Sequence, residues 1–419
     1  MPDRVQRLTQ EKCLICLDQL TESTACTVDC AHAFHSACVT ELHKFGVNLA
    51  CPLCRPQIPS GPKKLNEEAT RRYMVLRQAV VRGEASWSSL PKTMQHEFDA
   101  ALTWWRAAAN DGFNQAQYNL GYLFENGYGV TQSDEEAAKW FMKSAEQGFM
   151  LAQYHAGVMF ASGRGVAQSE EKAAQWYVKA AVQGYAQAQY YLGVFIASGR
   201  GIKQSNEEAA QWYQKAADQG YMLAQFSLGI VHEYGRGVAQ SDVEAAQWYL
   251  KAAEQGCAQA QYSMGVMSAS GRGVAQSDEE AARWYSKSAE QGYAQAQYNL
   301  GVMYELGSGV EQSDSEAASW YLKAADQGFM LAQFNLGTMH EHGRGIKQSH
   351  AKAAEWYTKA AEQGYAQAQY NMGVLSATGR GVTQSDVEAT RWYSMAADQG
   401  YEMARENMQV LLDTGRGQE

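Results

Sequence analysis

Residues 116–151, AQYNLGYLFENGYGVTQSDEEAAKWFMKSAEQGFML, contain the pattern that decides the fold. The pattern returns every 36 residues without insertion or deletion, and each copy begins with Ala-Gln and an aromatic residue. Eight full copies begin at Ala116, Ala152, Ala188, Ala224, Ala260, Ala296, Ala332 and Ala368, and a degenerate copy begins at Ala404. A fixed period of this length predicts an all-α solenoid, in which each repeat buries its apolar face against its neighbours.

Each copy reads as two helices. In the quoted copy the first helix is predicted to end at Gly127, because glycine adopts the left-handed conformation of a helix C-terminus without steric cost. Ser133 and the acids after it are typical of a capping box, which begins the second helix, and Gly148 ends that helix. Gly121 lies within the first helix at a cost of about 1 kcal/mol relative to alanine. A close crossing of the two helices is the predicted reason.

A cluster of cysteine and histidine residues occupies the first 54 positions, which hold seven of the eight cysteines. In order it is Cys13-x2-Cys16-x13-Cys30-x-His32-x2-His35-x2-Cys38-x12-Cys51-x2-Cys54. These eight side chains are sufficient ligands for two tetrahedral zinc ions. The segment is too poor in aliphatic residues to fold by burial alone, so we expect bound metal to supply its folding free energy. Spacing alone leaves open whether the two sites are sequential or interleaved. Cys26 and His43 do not fit this spacing and are not predicted to be zinc ligands.

With these ligands, residues 11–58 resemble the RING finger family in its variant with two central histidines. The resemblance implies a small α+β domain with cross-braced structural zinc. The first Zn²⁺ would be held by Cys13, Cys16, His35 and Cys38, and the second by Cys30, His32, Cys51 and Cys54. It also implies a groove for a ubiquitin-conjugating enzyme, formed by Ile15, Leu42 and Pro52, with Arg55 as the linchpin that contacts that enzyme and its ubiquitin. Leu42 stands where many members have tryptophan, so the choice of conjugating enzyme is the property that this departure affects.

The repeats resemble the Sel-1-like family, helix–turn–helix relatives of tetratricopeptide repeats. The resemblance rests on Leu120-Gly121, on the glycines of the turn and on the Trp140 region, and it covers about residues 100–414. It implies a scaffold that binds proteins. Packing positions recur between copies, whereas the fourth and ninth residues vary, so we predict that the variable side chains contact a partner. The candidates are Tyr191, His232, Tyr304 and His340. Unselected drift on a solvated face is the alternative.

The chain therefore divides into five predicted segments: the zinc module (11–58), a linker (59–64), a helical cap with a partial repeat (65–115), eight repeats (116–403), and a partial repeat with a tail (404–419). Helices are predicted at 65–82 and at about 91–111. Residues 61–82 carry six basic and two acidic side chains. As an alternative to capping, the first helix would lie on an anionic membrane surface.

Composition limits the function further. The net charge of −10 argues against nucleic-acid binding, which needs a basic surface. No stretch approaches eighteen apolar residues, so no membrane span is expected, and the N-terminus does not read as a signal peptide. We therefore expect a cytoplasmic or nuclear protein. The arginines of the Gly-Arg-Gly turns would form either a basic edge or local salt bridges. Cys257 takes the place of an aromatic residue and is predicted to lie in the core.

Together these features predict a RING-type ubiquitin ligase without a covalent catalytic residue. The zinc module would recruit the conjugating enzyme, and the repeats would hold a protein substrate. The alternative is a non-catalytic, zinc-stabilised scaffold for assembling protein complexes.

Overall fold

The structure, a computed structural model, describes residues 61–416 and two short strands within the N-terminal segment. Strands β1 (Ala25–Thr27) and β2 (Ala33–His35) pair antiparallel, with Ala25 opposite His35 and Thr27 opposite Ala33. The remainder of the predicted zinc module lies outside the described residues. The chain divides into two compact units, residues 1–216 and 217–419, which are described separately below.

Nineteen α-helices occupy the described range 61–416. Two precede the repeats, α1 (Gly61–Val81) and α2 (Lys92–Asn110). The first helices of the repeats, called A helices, are α3 (Asn114–Asn126), α5 (Met150–Ser162), α7 (Ala186–Ser198), α9 (Met222–Tyr234), α11 (Ala258–Ser270), α13 (Ala294–Leu306), α15 (Met330–His342), α17 (Ala366–Thr378) and α19 (Glu402–Asp413). The second helices, called B helices, are α4 (Asp134–Glu146), α6 (Glu170–Val182), α8 (Asn206–Asp218), α10 (Asp242–Glu254), α12 (Asp278–Glu290), α14 (Asp314–Asp326), α16 (His350–Glu362) and α18 (Asp386–Asp398).

The helix ends follow the predicted signals with one difference. Helix α3 ends at Gly127, whose φ of +68° lies in the left-handed region, and the Ser133 hydroxyl accepts the N–H of Glu136 at 3.2 Å. The reciprocal bond of a capping box does not form. Instead, the Ser133 N–H donates to the carbonyl of Phe124 at 3.0 Å, and Glu136 forms an ion pair with Lys139. The start of each B helix is therefore fixed to the A helix before it.

Glycine permits the two helices of one repeat to cross closely, as predicted. A β-carbon added at Gly121 would lie 2.7 Å from the ring of Phe141, and one at Gly157 would lie 2.7 Å from the ring of Tyr177. Since both rings are buried, they have little room to move aside. The free energy lost by placing glycine within a helix is offset by this aromatic packing.

A buried glutamine in the A helix of each full repeat ties successive repeats together. In the first unit, the Gln117 side chain donates to the carbonyl of Ala109 at 3.0 Å and accepts from Gln147 at 2.7 Å. In the second unit, Gln333 accepts from Gln363 at 2.8 Å in the same way. Each such hydrogen bond contributes on the order of 1 kcal/mol, and leaving the buried amide unpaired would cost more. The recurring Ala-Gln pair thus has a structural role between repeats.

Helices α1 and α2 cap the array. Leu65, Tyr73 and Leu76 are buried in the same cluster as Trp105, whose ring centroid lies 5.2 Å from that of Tyr73. Helix α1 begins at Gly61, so its first turn lies within the segment predicted as linker. Pro62 accounts for this, because proline is favoured in the first turn of a helix.

At the C-terminal end of the array, exposed polar residues replace the residues that pack between repeats elsewhere. In the degenerate copy, Arg405, Glu406 and Gln409 occupy the positions that hold glutamine, an aromatic residue and glycine in the full repeats. All three are exposed. No B helix packs on this face of α19 within the described chain, so glycine is not needed there and charged side chains replace the packing residues.

Candidate functional site

The structure places one of the eight predicted zinc ligands. His35 ends β2, where its backbone pairs with Ala25. The other seven lie outside the described residues, as do Ile15, Leu42, Pro52 and Arg55. The donor set of six thiols and two imidazoles fits structural zinc, and its pairing stays a prediction. Between residues 61 and 416, no group of three or more His, Cys, Asp or Glu side chains could hold a metal ion.

In several repeats the variable fourth residue contacts an aromatic side chain of the preceding repeat. In the first unit, Tyr191 stacks on Tyr177 with ring centroids 5.8 Å apart and planes at 16°. In the second unit, Asn335 hydrogen-bonds Tyr321, and burial is the main reason that the pKa of this tyrosine is raised. The fourth position therefore contributes to packing between successive repeats.

In one repeat, the B helix carries a phenylalanine where the other full repeats have tyrosine. This residue is Phe141, which has no hydroxyl group to donate to Glu125. His155, the fourth residue of the next copy, stacks on Phe141 at 4.6 Å and places Nδ1 3.2 Å from the Glu125 carboxylate. The imidazole thus supplies the donor that tyrosine supplies elsewhere.

The ninth residues lie between the two helices of a repeat. His232, Tyr304 and His340 are half-buried, and their backbone carbonyls accept the N–H groups of the capping serines that follow, at 2.8–2.9 Å. Burial lowers the pKa of His340, so its imidazole is more readily neutral than a solvated one. Contact of Tyr191, His232, Tyr304 and His340 with a partner stays a prediction. Their surroundings show that they also contribute to packing.

The turn arginines form local salt bridges with glutamates of the A helices. In the second unit, Glu305 accepts from the hydroxyl of Tyr321 and from Arg344, both at 2.7 Å. Glu341 is bound likewise by Tyr357 and Arg380. In repeats that have alanine in place of the glutamate, the arginine turns to the first residue of a B helix instead, as Arg200 does to Glu170 and Arg416 does to Asp386. The arginines named here are paired with carboxylates, whereas Arg236 lies over the ring of Tyr234, so the turns as a set do not form an open basic stripe.

A cavity of about 480 Å³ opens on the A helices of the second unit. Its lining combines two aromatic rings with amides, hydroxyls and two carboxylates. The lining residues are Glu305, Phe334, Asn335, Thr338, Glu341, His342, Arg344, Tyr357, Gln367 and Asn371. A partly apolar cavity with several directed polar groups is typical of a site that holds a side chain or short segment of a ligand.

Seven of the eight B helices carry a second periodic feature, a lysine three residues after the tryptophan. Its ammonium group lies over the indole ring, at 3.9 Å for Lys179 over Trp176 and 3.6 Å for Lys323 over Trp320. Such contacts contribute about 0.5–1 kcal/mol at exposed sites. The tryptophans are covered by this arrangement.

Comparison with known families agrees with the repeat geometry. The Sel1 repeat family matches residues 114–149, 151–185, 186–221, 223–257, 258–293, 294–329, 331–365 and 366–401. The chain belongs to the Sel1 repeat family. Ahead of its Sel1 repeats it carries a Ring finger domain, which is matched at residues 11–55. The predicted fusion of these two families is confirmed.

Solved Sel1 structures resemble the chain over most of its length. A Sel1 repeat protein from Oxalobacter formigenes is 33% identical, with a TM-score of 0.58, and the match covers 73% of this chain and 89% of that one. The protective antigen c5321 of uropathogenic Escherichia coli is 30% identical with a TM-score of 0.54, covering 91% of this chain and 88% of that one. Both confirm the predicted all-α repeat fold.

The curated relatives match only a short part of this Sel1 repeat protein. Tripartite motif-containing protein 5 of Plecturocebus donacophilus is 37% identical over 76 residues, which are 17% of this chain and 15% of that protein. The same protein of Alouatta sara is 36% identical over 72 residues, 17% and 13% of the two chains. The chain thus spans less than one fifth of either relative. Separately, none of the helices in the described part of the chain is long and apolar enough to cross a membrane.

Proposed function

We propose that this protein is a RING-type ubiquitin ligase whose Sel1 repeats hold the protein to be modified. The observation that carries the proposal is the Ring finger match at residues 11–55 together with all eight ligand positions. The repeats would hold the substrate, because the resemblance to Sel-1-like repeats implies a protein-binding scaffold and their A helices line a cavity. We place the activity in the cytosol or nucleus.

The proposed mechanism is positioning. Two zinc ions, held by Cys13, Cys16, His35 and Cys38 and by Cys30, His32, Cys51 and Cys54, would supply the folding free energy of the module. Ile15, Leu42 and Pro52 would provide an apolar contact for the loaded conjugating enzyme. The planar fork of Arg55 would bridge that enzyme and its ubiquitin. Restricting the thioester to a reactive geometry accelerates its attack by a lysine without a covalent intermediate on the ligase.

Replacing Arg55 by alanine tests this mechanism. We expect the rate at which a loaded conjugating enzyme discharges ubiquitin to free lysine to fall about ten-fold or more, since the variant loses charge-assisted hydrogen bonds worth about 1.5–3 kcal/mol. Zinc content should not change. Arg82→Ala is the matched control, because this arginine is exposed on the cap and its ion-pair partner among the described residues is Glu84. If the unsubstituted protein is silent with a broad panel of conjugating enzymes, the zinc-stabilised scaffold replaces the ligase.

The proposal that the repeats bind the substrate predicts a loss of partner binding in a different variant. Replacing Tyr191, His232, Tyr304 and His340 together by alanine is expected to abolish capture of partner proteins by the repeats, while discharge to free lysine continues. The control is a variant of exposed B-helix residues, Val243→Ala with Leu250→Ala and Leu322→Ala. Partners can be captured by proximity labelling from the repeat array.

Because all four of those residues are half-buried, a loss of capture could also reflect a loss of packing. A second variant, Gln367→Arg, resolves this, since Gln367 is exposed at the cavity and a longer side chain there occludes the opening. Loss in both variants at unchanged melting temperature supports a binding role for the A helices. If both variants capture partner proteins as well as the unsubstituted chain does, the A helices do not bind the partner through these residues.

A further inference from the structure

The lysines between residues 61 and 416 fall into two groups. Seven follow a tryptophan on a B helix and hold their ammonium groups 3.6–4.7 Å from the indole centroid: Lys143, Lys179, Lys215, Lys251, Lys287, Lys323 and Lys359. Lys139 and Lys172 also lie over aromatic rings. Six others make neither a ring contact nor an ion pair with the residues that the structure describes: Lys63, Lys64, Lys92, Lys203, Lys347 and Lys352.

Two of these six lie close in sequence to the Ring finger domain. Lys63 and Lys64 are both exposed in the first turn of α1. Lys63 follows Cys54, the last predicted zinc ligand, by nine positions, which is at most about 32 Å of extended chain. A nucleophile on so short a tether acts at an effective concentration of about millimolar.

Lys92 is equally exposed but differently placed. It begins α2, after α1 has run its full length of 21 residues, about 31 Å at the rise of an α-helix. The ion pair of Arg72 with Glu97 shows that α2 turns back along α1, so Lys92 lies at the end of the helix pair remote from Lys63. Lys203, Lys347 and Lys352 lie much further along the chain.

We propose that Lys63 and Lys64 are the sites at which this protein attaches ubiquitin to itself; the inference rests on the proposed ligase function. The deprotonated Nζ attacks the carbonyl carbon of the thioester between the C-terminal glycine of ubiquitin and the cysteine of the conjugating enzyme. The N–C amide bond forms, the C–S bond breaks and the thiolate leaves with its electron pair. The proton from nitrogen passes to solvent. The seven lysines that lie over tryptophan rings must first leave those rings, because a nitrogen held against an indole face cannot at the same time approach the thioester.

The test uses the full zinc-loaded chain, a loaded conjugating enzyme and a ubiquitin whose own lysines are replaced by arginine, so that each site accepts one ubiquitin. Peptide mapping over a time course should find the first modifications at Lys63 and Lys64. The double variant Lys63→Arg/Lys64→Arg should lower the initial rate of self-modification at least about five-fold, in line with the loss of a tethered nucleophile. The matched control Lys92→Arg/Lys203→Arg should leave that rate unchanged.

Discharge of the same enzyme to free lysine is measured in parallel. If discharge proceeds but the first modifications fall on Lys92, on the seven lysines that lie over tryptophan rings, or on Lys12 or Lys44, the site assignment is overturned and the ligase function stands. An unchanged initial rate of self-modification in the Lys63→Arg/Lys64→Arg variant would also overturn the site assignment and leave the ligase function standing. If discharge itself fails with every conjugating enzyme, the ligase function and this inference fall together.

Discussion

Replacing Gly345 by alanine is expected to destabilise the second unit by about 3–5 kcal/mol, several times the cost of the same change at Gly364. Gly345 lies in the turn between α15 and α16 with φ of +67°, and an added β-carbon would overlap the carbonyl of Asp314 and lie 2.6 Å from the backbone nitrogen of Ser315. Both obstructing groups are backbone atoms at the start of α14, in the preceding repeat. They cannot rotate away as a side chain would, so two repeats must separate.

Gly364 is the matched control. Its φ of +92° is equally unfavourable for alanine, but an added β-carbon would meet nothing within 4 Å. Only the conformational cost of about 1–2 kcal/mol should appear. The midpoint of urea unfolding and the hydrogen exchange of amides in α14 and α15 measure the difference, since exchange reports local opening where a repeat array unfolds in stages. Equal effects of the two substitutions would show that this contact between repeats is not tight.

Removal of zinc is expected to abolish ubiquitin transfer while leaving the helical array folded. Each structural zinc contributes on the order of 10–16 kcal/mol to the folding of a small module at pH 7, far more than so short a segment gains by burial. The array has its own core, and residues 61–416 hold no cluster of metal ligands. After treatment with a chelator, discharge to free lysine should fall to the rate without ligase, whereas the far-ultraviolet circular dichroism of the helices should persist.

Elemental analysis supplies the companion measurement. The purified chain should contain two zinc ions, and Cys30→Ser should contain fewer. Cys257→Ser is the control, because Cys257 is a buried residue of the array and plays no part in the predicted ligand set. Transfer that continues in metal-free protein would contradict the proposed mechanism.

The sequence alone predicts the repeat fold closely because its signals are local. Gly127 and Ser133 mark helix ends through their own conformational preferences, and Gly121 indicates a close crossing because glycine within a helix needs a compensating reason. The buried position of Cys257 follows from the aromatic residues that occupy its place in other copies. Each of these predictions is confirmed by the structure.

What the sequence does not predict depends on residues brought together from different repeats. The partnership of Gln117 with Gln147 spans 30 positions, and nothing local identifies a glutamine as buried. For the same reason, variation at Tyr191 indicates a display surface, although the structure shows that this ring packs on Tyr177. Within the zinc module, the structure describes only the pairing of β1 with β2. Which ligands share each zinc ion stays a prediction.

The glutamine and arginine contacts have an evolutionary consequence. Hydrogen bonds between neighbouring repeats join positions 30 apart, as in Gln333 and Gln363, or 39 apart, as in Glu305 and Arg344. A tandem duplication or loss of 36 residues shifts both partners of such a contact by one whole copy and recreates the same bond across the new junction. The number of repeats is therefore free to change during evolution. Such a change would lengthen or shorten the repeat array that is proposed to bind the substrate, and it would leave the Ring finger domain unaltered.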